Sequence, residues 1–500
     1  MRQSQNLKKE NLEVSVIESS TPPLEPIVPG YHIKILKDEQ LDELKAGTLQ
    51  ILEEVGVHCP SEKARQIYAE HGCQVDPNTS IVRIPPDVVC KAMSHAPRFY
   101  SMGARLPEFD LKLDGTATHC ATDGCGVESI DIATRQRRPS TKNDVALGAR
   151  LADYLPEIGF YWPIVSAQDH PKTAPLHELE ASLNNTVKHI QSETVMGEPT
   201  ARYAIEMARM IAGNQESLRS RPPISLLVCC ISPLAQDKEG MESALAFAQA
   251  GLPVGFMSMA NTGSTAPATL AGTMVTGDAE IVSAMVLVQL ATPGAPTFHS
   301  LMPGIMHPHS GSYLGTAWEG TLLYAVGVEL AHNWGVPSLA GVFGTDALVP
   351  GWQSAGDPAS SLLLVALTGA ETGSGLGLLE SCTLFYPEAM LLDADIYQRV
   401  RHEVLGLDTS PEMLALDVIN SVGPRGHFLK HPHTRKHLHQ RTFSHLSNQP
   451  SQGSGYLDPL EVARQKAEWI LEHHHPQPLE DAQRLELEKI LSAADKEIGS

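Results

Sequence analysis

The feature that most constrains the fold is a series of short apolar segments that recurs along the middle of the chain. Each segment ends in polar or glycine-rich residues and is followed by a longer stretch with helical character. The segments lie at residues 158–165, 187–194, 224–231, 253–260, 296–302, 337–343 and 373–379. Short apolar runs that alternate with helices are typical of parallel strands that are buried on both faces.

These seven strands, together with an eighth expected at residues 126–132, predict an α/β chain that folds as a (β/α)8 TIM barrel. A doubly wound open sheet is the structural alternative. No G-x-G-x-x-G sequence follows the first strand, which disfavours a dinucleotide-binding version of that alternative.

The sequence divides into four regions. Residues 1–29 are polar and rich in proline, and we expect them to form a flexible N-terminal tail. Residues 30–143 combine a helical pattern with short β segments, which predicts an α+β region that leads into the barrel at 144–395. Residues 396–500 are predicted to form a C-terminal helical segment that serves as a cap or as an oligomer contact. We therefore expect a homo-oligomer.

The charge and the cysteines exclude several function classes. The formal net charge is −21, which argues against binding to nucleic acid and to anionic membrane surfaces. The eight cysteines are scattered and form no C-x-x-C motif, a pattern that indicates reduced thiols. The chain has no apolar signal core at its N-terminus and no run of about 18 apolar residues. We therefore expect a cytoplasmic protein that does not span a membrane.

A histidine-rich segment follows the predicted barrel. His433 and His437 would share one face of a helix, which is a spacing that metal ligands use. No H-E-x-x-H motif accompanies them, and no acidic residue lies nearby in the sequence. We therefore predict that the chain binds no metal and that the central histidines are structural or interfacial. They are His431, His433, His437 and His439.

Aromatic and acidic residues are concentrated at the ends of the predicted strands and in the loops that follow them. They are Tyr161, Trp162, Phe298, Tyr313, Trp318, Glu319, Phe343, Asp346, Trp352, Glu380, Phe385 and Tyr386. In a closed parallel barrel these positions surround the ligand-binding mouth. Aromatic rings attract a quaternary ammonium cation, whose charge has no N–H group to hydrogen-bond. The pattern therefore indicates a cation-binding mouth. Alternatively, several rings only pack the rim of the barrel, and Asp346 caps the next turn or helix.

Six stretches also give the chain a resemblance to a known family. They are 131–144 (DIATRQRRPSTKND), 289–296 (QLATPGAP), 335–337 (GVP), 345–347 (TDA), 377–381 (GLLES) and 426–434 (GHFLKHPHT). In their order and spacing, from about residue 30 to the end, the chain resembles the trimethylamine methyltransferase family. Members of that family are corrinoid-dependent methyltransferases with a (β/α)8 barrel.

The resemblance implies a reaction and a partner. A Co(I) corrinoid takes a methyl group in an SN2 step, and a quaternary nitrogen leaves as a neutral tertiary amine without needing a general acid. The chain contains no D-x-H-x-x-G motif, so it lacks a B12-binding module of its own. We therefore expect no tightly bound cofactor in this chain, and a corrinoid supplied by a separate small protein that docks over the mouth.

The resemblance also narrows the substrate. Family members that act on trimethylamine carry pyrrolysine, which the family pattern places near Thr345 and Asp346. This chain has the standard residues Ala347, Leu348 and Val349 there. It therefore resembles the branch without pyrrolysine, whose members demethylate quaternary amines such as glycine betaine, proline betaine and carnitine. Glycine betaine or a related betaine is the expected substrate.

Roles for individual residues follow from that substrate. The rings expected to hold the trimethylammonium head are Tyr313, Trp318, Phe343, Trp352 and Phe385. The carboxylates expected to act in catalysis are Glu319, Asp346 and Glu380. The histidines expected to bind the carboxylate of the substrate are His299, His307 and His309.

Three alternatives remain open from the sequence. The chain could act on a different methylamine. It could be a catalytically silent barrel that binds a betaine or scaffolds a corrinoid complex. It could also be a metal-dependent hydrolase barrel.

Overall fold

The structure of the protein is a computed structural model that describes residues 21–124, 126–438, 443–451, 453 and 455–499. Most of the tail predicted at residues 1–29 lies outside the described residues. The part that is described is packed rather than free. Ile27 is fully buried, and its backbone N–H and C=O both hydrogen-bond with Thr118, over 3.1 and 2.8 Å.

Within the described residues, eight parallel strands form one sheet that closes on itself. In chain order they are β1 His119–Thr122, β2 Ile158–Tyr161, β3 His189–Ser192, β4 Ile224–Cys229, β5 Val254–Ser258, β6 Thr297–Leu301, β7 Leu339–Gly341 and β8 Thr372–Leu376. Strand β1 pairs with both β2 and β8. At the seam between β6 and β7, the N–H of His299 donates to the C=O of Pro337 over 2.9 Å. The (β/α)8 barrel is thereby confirmed.

Six of the seven apolar segments singled out in the sequence contain a whole barrel strand, and the seventh contains all of β8 except Thr372, but the prediction of an eighth barrel strand at 126–132 is wrong. Glu128–Ile130 instead joins a small four-stranded sheet with Arg137–Pro139, Leu384–Phe385 and Leu378–Leu379. The first barrel strand is β1, which lies inside the region 30–143 rather than after residue 144. Its sequence, HCAT, is too short and too polar to read as an apolar run.

Helices follow the strands and form the outer layer of the barrel. They are Lys142–Tyr154, Ala174–Asn185, Glu198–Ala212, Gln215–Ser220, Lys238–Ala250, Leu270–Ala291, Gly320–Trp334, Trp352–Leu367 and Pro387–Glu403. The first begins at a capping box, in which the Asp144 carboxylate accepts from the backbone N–H of Thr141 over 2.9 Å. Two others, Lys238–Ala250 and Gly320–Trp334, end at glycines in the left-handed conformation, Gly251 and Gly335.

The N-terminal region packs on the outside of the barrel. It contains the helices Asp38–Gln50, Glu62–Glu70 and Pro86–Met93, a π-helical turn at Ile51–Val55 and a 3-10 turn at Pro107–Phe109. Its strands are Val57–His58, Gln74–Val75 and Ile81–Arg83 in one sheet, and Tyr100–Met102 with Leu111–Leu113 in another. The three helices pack against Leu270–Ala291. Among the described residues, Leu270–Ala291 alone is long and apolar enough to cross a membrane, and 83% of its most apolar window is buried inside the protein.

The interior of the barrel is filled by side chains from alternate strand positions. Phe160 in β2, Leu227 in β4, Met257 in β5 and Phe298 in β6 belong to one buried cluster. Neighbouring residues on each strand face the helices, because successive side chains of a strand point to opposite sides. This alternation decides which residues reach the mouth of the barrel.

The C-terminal region has two parts. Pro459–His473 packs on Pro387–Glu403, and Asp481–Glu497 packs on Glu198–Ala212, so both cover barrel helices. A buried contact fixes this cover, since Nε2 of His474 lies 2.8 Å from Oδ2 of Asp153. In the sequence, residues 405–438 lie between the last barrel helix, Pro387–Glu403, and the helix Pro459–His473. They form the second part, which we call the arm. It contains the short helices Pro411–Leu414, Leu416–Val422 and Pro432–Leu438.

Candidate active site at the barrel mouth

A cavity of about 550 Å³ opens at the carboxyl ends of the barrel strands. Its apolar lining includes Met257, Met259, Met302 and the ring of Tyr313. A larger groove, of about 890 Å³, lies on the outside of the barrel between Pro387–Glu403 and the segment that follows residue 442. The cavity at the mouth is the candidate active site because parallel barrels bind their ligands at this end.

Asp123 lies in the cavity two residues after Ala121, whose side chain belongs to the barrel interior. Both oxygens of its carboxylate have protein donors. Oδ1 accepts from the backbone N–H of Gly124 over 2.9 Å, and Oδ2 accepts from the thiol of Cys382 over 2.9 Å. Burial raises the pKa of Asp123 above its ordinary value. A side chain at position 124 would displace an indole, because an added Cβ would lie 1.6 Å from Nε1 of Trp162.

Asp346 lines the cavity beside Asp123, because the loops after β7 and β8 adjoin the end of β1. Its Oδ1 accepts from the hydroxyl of Ser381 over 2.5 Å, and its Oδ2 accepts from the hydroxyl of Thr316 over 2.9 Å. Like Asp123, Asp346 therefore presents negative charge to the cavity while protein donors already bind its oxygens.

A third carboxylate follows β3. Oε1 of Glu193 accepts from the thiol of Cys229 over 2.8 Å. Burial and nearby carboxylates raise the pKa of Cys229 and of Cys382 well above the ordinary value, so both thiols keep their protons and act as donors. The carboxylates that raise the pKa of Cys382 are those of Asp123, Asp346 and Glu193. All three acids are therefore close enough to influence this one thiol.

No lysine, arginine or histidine is among the described residues that line the cavity. The side opposite Asp123 carries neutral polar groups instead, because β5 lies across an eight-stranded barrel from β1. The loop after β5 supplies Asn261, Ser264 and Thr265. The side-chain oxygen of Asn261 is buried without a hydrogen-bond partner, so it is available to a ligand. The cavity therefore has an acidic end and a neutral polar end.

Two tyrosines hold the long loop between β6 and β7 over the cavity. The hydroxyl of Tyr324 donates to the C=O of Gly315, and the hydroxyl of Tyr313 donates to the C=O of Met302 over 3.3 Å. Both rings line the cavity. They supply aromatic surface of the kind that attracts a cation.

The structure brings two of the sequence-predicted site residues, Tyr313 and Asp346, to the cavity. Glu380 lies beside it but is paired with Arg137, whose guanidinium donates to both carboxylate oxygens over 2.8 and 2.9 Å. Glu319 is exposed next to the start of Gly320–Trp334. Trp318 and Trp352 are 98% and 89% exposed, and they lie on the rim rather than in the lining.

The other predicted residues lie away from the lining. Phe343 and Phe385 are fully buried in the layer between the sheet and the helices. His299 is also buried, and its ring contacts Asp278 of the helix Leu270–Ala291. His307 and His309 lie in the loop after β6, where the Nδ1 atom of His307 accepts from the backbone N–H of Ser310 over 3.2 Å.

Sequence reasoning did not select several residues that form the cavity. Asp123 was missed together with β1. Asn261 could have been selected, because it is a polar residue at the end of the predicted strand 253–260, and so could Glu193, which lies outside the lining and binds the thiol of Cys229. The three methionines carried no signal, since methionine is as common in cores as in binding sites.

Comparison with known proteins places this chain in a family. The sequence profile of the family described as trimethylamine methyltransferase (MTTB) matches residues 2–499. Trimethylamine methyltransferase MttB of Desulfitobacterium hafniense (strain DSM 10664 / DCB-2) is 32% identical over 477 residues, which cover 94% of this chain and 96% of that protein. Trimethylamine methyltransferase MttB of Methanosarcina barkeri (strain Fusaro / DSM 804) is 30% identical, with 93% and 96% covered.

Glycine betaine methyltransferase of Desulfitobacterium hafniense (strain Y51) is 27% identical, with 95% of this chain and 99% of that protein covered. Among solved structures, the hydroxylamine complex of MtmB aligns over 92% of each chain with a TM-score of 0.46 and 10% identity. The match of the family profile to residues 2–499, together with the identity to the two trimethylamine methyltransferases, shows that this chain is a methyltransferase and belongs to the trimethylamine methyltransferase family.

Proposed function

We propose that the protein transfers a methyl group from a quaternary amine, bound in the cavity at the mouth, to the Co(I) corrinoid of a separate protein. The proposal rests on the hydrogen bonding of the two carboxylates in the cavity lining. Asp123 and Asp346 provide negative charge, but their oxygens already accept hydrogen bonds from Gly124, Cys382, Ser381 and Thr316. A quaternary ammonium ion has no N–H to donate, so it requires charge and apolar surface rather than free acceptors.

The reaction requires the protein to bind the amine and to align one of its methyl groups with the corrinoid. The bond between nitrogen and the methyl carbon breaks as the new bond to that carbon forms, and the electron pair stays on the nitrogen of the neutral tertiary amine. The corrinoid supplies the nucleophile. The acids bind the positive substrate, and the methionines and tyrosines exclude water and point one methyl group outward.

The acids are not expected to lower the barrier directly. The positive charge on nitrogen decreases as the transition state forms, and only interactions that strengthen on the way to the transition state accelerate the reaction. We therefore assign Asp123 and Asp346 to substrate binding, and we assign the rate enhancement to orientation.

The neutral end of the cavity supports a betaine as the substrate. We propose that a substrate whose ammonium head lies beside Asp123 directs its carboxylate toward the loop after β5, where the amide of Asn261 and the hydroxyl of Thr265 can donate hydrogen bonds. We propose glycine betaine or a related betaine, with this loop in the role that the sequence assigned to His299, His307 and His309.

A different methylated amine is the second candidate. The described lining has no cationic residue that would pair with a carboxylate, which favours a cation without one, such as choline or trimethylamine. Two of the relatives above are named trimethylamine methyltransferases.

The rim supports a protein partner over the mouth. Trp318, Leu348, Val349 and Trp352 are 98%, 69%, 66% and 89% exposed and follow β6 and β7. Large apolar side chains that are exposed at the ligand-binding end of a barrel are typical of protein–protein contacts. We propose that this rim receives the corrinoid protein.

The test is a substrate panel. Purified protein is mixed with free Co(I) cobalamin and glycine betaine, choline or trimethylamine, and the formation of methylcobalamin is followed by absorbance. Asp123→Asn serves as the matched site variant. Methylcobalamin with a quaternary amine, lost or greatly slowed in Asp123→Asn, supports the proposal. Turnover of trimethylamine alone would contradict it, and binding of a betaine without methyl transfer would favour the scaffold alternative.

A further inference from the structure

Three consecutive residues that are not glycine adopt the left-handed backbone conformation beside the cavity. They are Glu380, Ser381 and Cys382, with φ angles of 53°, 53° and 68°. We call residues 380–382 the left-handed turn. An L side chain in this conformation crowds its own backbone, so glycine is the ordinary residue there. Such strain persists only where the surrounding structure imposes it, and it is concentrated at functional sites.

The left-handed turn is the tip of a hairpin in the small four-stranded sheet. The loop after β7 supports its backbone. The N–H of Glu380 donates to the C=O of Ala347 over 3.0 Å, and the next N–H, that of Ser381, donates to the C=O of Thr345 over 2.9 Å. On the other side, the guanidinium of Arg137 binds both carboxylate oxygens of Glu380. Contacts on two sides therefore hold the turn in its strained conformation.

Two adjacent side chains of the turn each donate a hydrogen bond to one acid of the cavity. The hydroxyl of Ser381 donates to Oδ1 of Asp346 over 2.5 Å. The thiol of Cys382 donates to Oδ2 of Asp123 over 2.9 Å. The turn follows β8, which lies between β7 and β1 in the barrel, so it reaches acids from both neighbouring strands. Glycines in the turn would remove the strain, but they would also remove both donors.

A thiol at position 382 suits a site that binds a methyl donor. Sulfur is a weak donor, so the hydrogen bond orients the carboxylate of Asp123 and leaves most of its charge to attract a cation. Burial and the three nearby carboxylates raise the pKa of Cys382 well above its ordinary value. The thiolate rather than the thiol is the nucleophilic form of cysteine, so Cys382 does not compete with the corrinoid for the methyl group.

The titratable groups around Asp123 and its thiol donor come from five elements. They are Cys382 in the turn, Asp346 after β7, Glu193 after β3, Cys229 in β4 and Tyr324 in the helix Gly320–Trp334. Burial raises the pKa of Asp123, and the hydrogen bonds from Cys382 and Gly124 oppose that rise because they stabilise the ionised carboxylate. Without the thiol, Asp123 would therefore take up a proton at a higher pH.

We propose that Ser381 and Cys382 are positioning residues for methyl transfer. The left-handed turn holds their donors against the two acids, so that both carboxylates face the ammonium head of the substrate. This inference rests on the proposed function, because it requires that the acids bind the amine. Loss of a donor frees its carboxylate to rotate, so the affinity for the amine falls while the reaction of the bound substrate is little changed. Glu380, which the sequence placed among the catalytic carboxylates, anchors the turn instead.

The test compares variants of Cys382 in methyl transfer to free Co(I) cobalamin from about pH 6 to pH 9, with the amine that the wild type turns over. Cys382→Ala should raise KM for the amine at least about fivefold and change kcat less than about twofold. KM should also begin to rise at a higher pH in this variant than in the wild type. Cys382→Ser restores a donor and should return both KM and its pH profile towards the wild type. The matched control is Cys90→Ala, at an exposed cysteine of the helix Pro86–Met93, which should change neither.

Two further variants separate positioning from folding. Glycine adopts a positive φ without strain, so Cys382→Gly should not lower Tm, yet it should raise KM as Cys382→Ala does. In the double variant Asp123→Asn/Cys382→Ala, KM should differ less than about twofold from that of Asp123→Asn alone, because the thiol then has no ionised carboxylate to orient.

The outcomes distinguish this inference from the proposed function. An active wild type whose KM and pH profile are unchanged in Cys382→Ala and Cys382→Gly would overturn the inference and leave the proposed function standing. Additive effects in the double variant would also overturn it, because the thiol would then act independently of Asp123. If the wild type transfers no methyl group, the proposed function fails, and calorimetric binding of tetramethylammonium still decides the inference. Weaker binding to Cys382→Ala would support it, and equal binding, or none to the wild type, would overturn it.

Discussion

Nε2 of His299 lies 2.8 Å from Oδ1 of Asp278, and both side chains are completely buried between β6 and the helix Leu270–Ala291. The same carboxylate accepts from the hydroxyl of Thr48 over 2.6 Å and from Nε1 of Trp334 over 3.0 Å. These contacts join the barrel, two of its helices and the N-terminal region. His299 therefore belongs to the packing between layers.

His299→Ala should destabilise the protein without changing substrate affinity. Removing the imidazole leaves a buried carboxylate with one partner fewer, at a cost of about 2 to 4 kcal/mol. We expect a lower Tm in thermal unfolding and an unchanged KM for the methyl donor. His309→Ala, at an exposed position, is the control and should leave Tm unchanged. A raised KM with an unchanged Tm would show that His299 contacts the substrate.

Asp123→Asn should weaken binding of a cationic substrate. We expect a KM at least about tenfold higher at pH 8, which corresponds to roughly 1.4 kcal/mol of binding. Burial raises the pKa of Asp123, and only its ionised form attracts a cation. In the wild type, KM should therefore rise as the pH falls through that raised pKa, and this rise should be absent from the variant. The measurement is KM against pH with free Co(I) cobalamin as the acceptor.

The matched control for this change is Asp481→Asn, because the side chain of Asp481 is 89% exposed on a distant helix. It should reproduce the wild-type pH profile. If Asp123→Asn also kept the wild-type KM, the ammonium head would be bound elsewhere.

Asp393→Asn should stabilise the protein at neutral pH. Burial raises the pKa of Asp393 from 3.8 to about 8, and its Oδ2 accepts from the backbone N–H of Gly377 over 2.9 Å, which an asparagine oxygen can also do. Between about pH 4 and pH 8, the folded state therefore holds a proton that the unfolded chain has lost. The contribution of this group to the free energy of unfolding is greatest below pH 4 and falls as the pH rises, by up to about 1.4 kcal/mol per pH unit.

The measurement is the difference in Tm between Asp393→Asn and the wild type at pH 5.5 and pH 7.5. We expect the variant to gain more at the higher pH. Asp417→Asn, at an exposed position, should show no such trend. An equal difference at both pH values would mean that Asp393 ionises at its ordinary pKa.

The double variant Trp318→Ala/Trp352→Ala should impair methyl transfer to the corrinoid protein but not to free Co(I) cobalamin. Both rings lie on the rim, almost fully exposed, so their loss removes contact area from the proposed docking surface and leaves the cavity intact. We expect KM for the corrinoid protein to rise at least about tenfold, while KM for the amine with free cobalamin stays the same. An equal effect with both acceptors would place the rings in the substrate site.

The barrel was predictable because its repeat is long and regular. Seven apolar segments ending in polar residues leave few alternatives, and the polar end at Thr345 and Asp346 correctly indicated a residue at the mouth. The first strand was not predictable, because His119 and Thr122 are polar and nothing apolar surrounds them for more than two residues. Asp123, the most buried acid of the cavity lining, was lost with that strand.

The phase of each strand was the second unknown. Side chains alternate between the interior and the helices, so Phe298 and His299 had to face opposite sides, but the sequence does not say which residue faces inward. Exposure was the third unknown. Trp318 and Trp352 precede or begin helices, and only the tertiary structure distinguishes a ring on the rim from a ring in the lining.

The pairing of β1 with β8 determines when the fold can be completed during synthesis. His119 lies beside Thr372, so about 250 residues must be made before the two strands can meet. Until then the growing sheet has two open edges, which are templates for pairing with other chains. A ribosome that stalls before residue 372 therefore holds an open sheet, whose unpaired edges expose the nascent chain to aggregation until its last strand emerges.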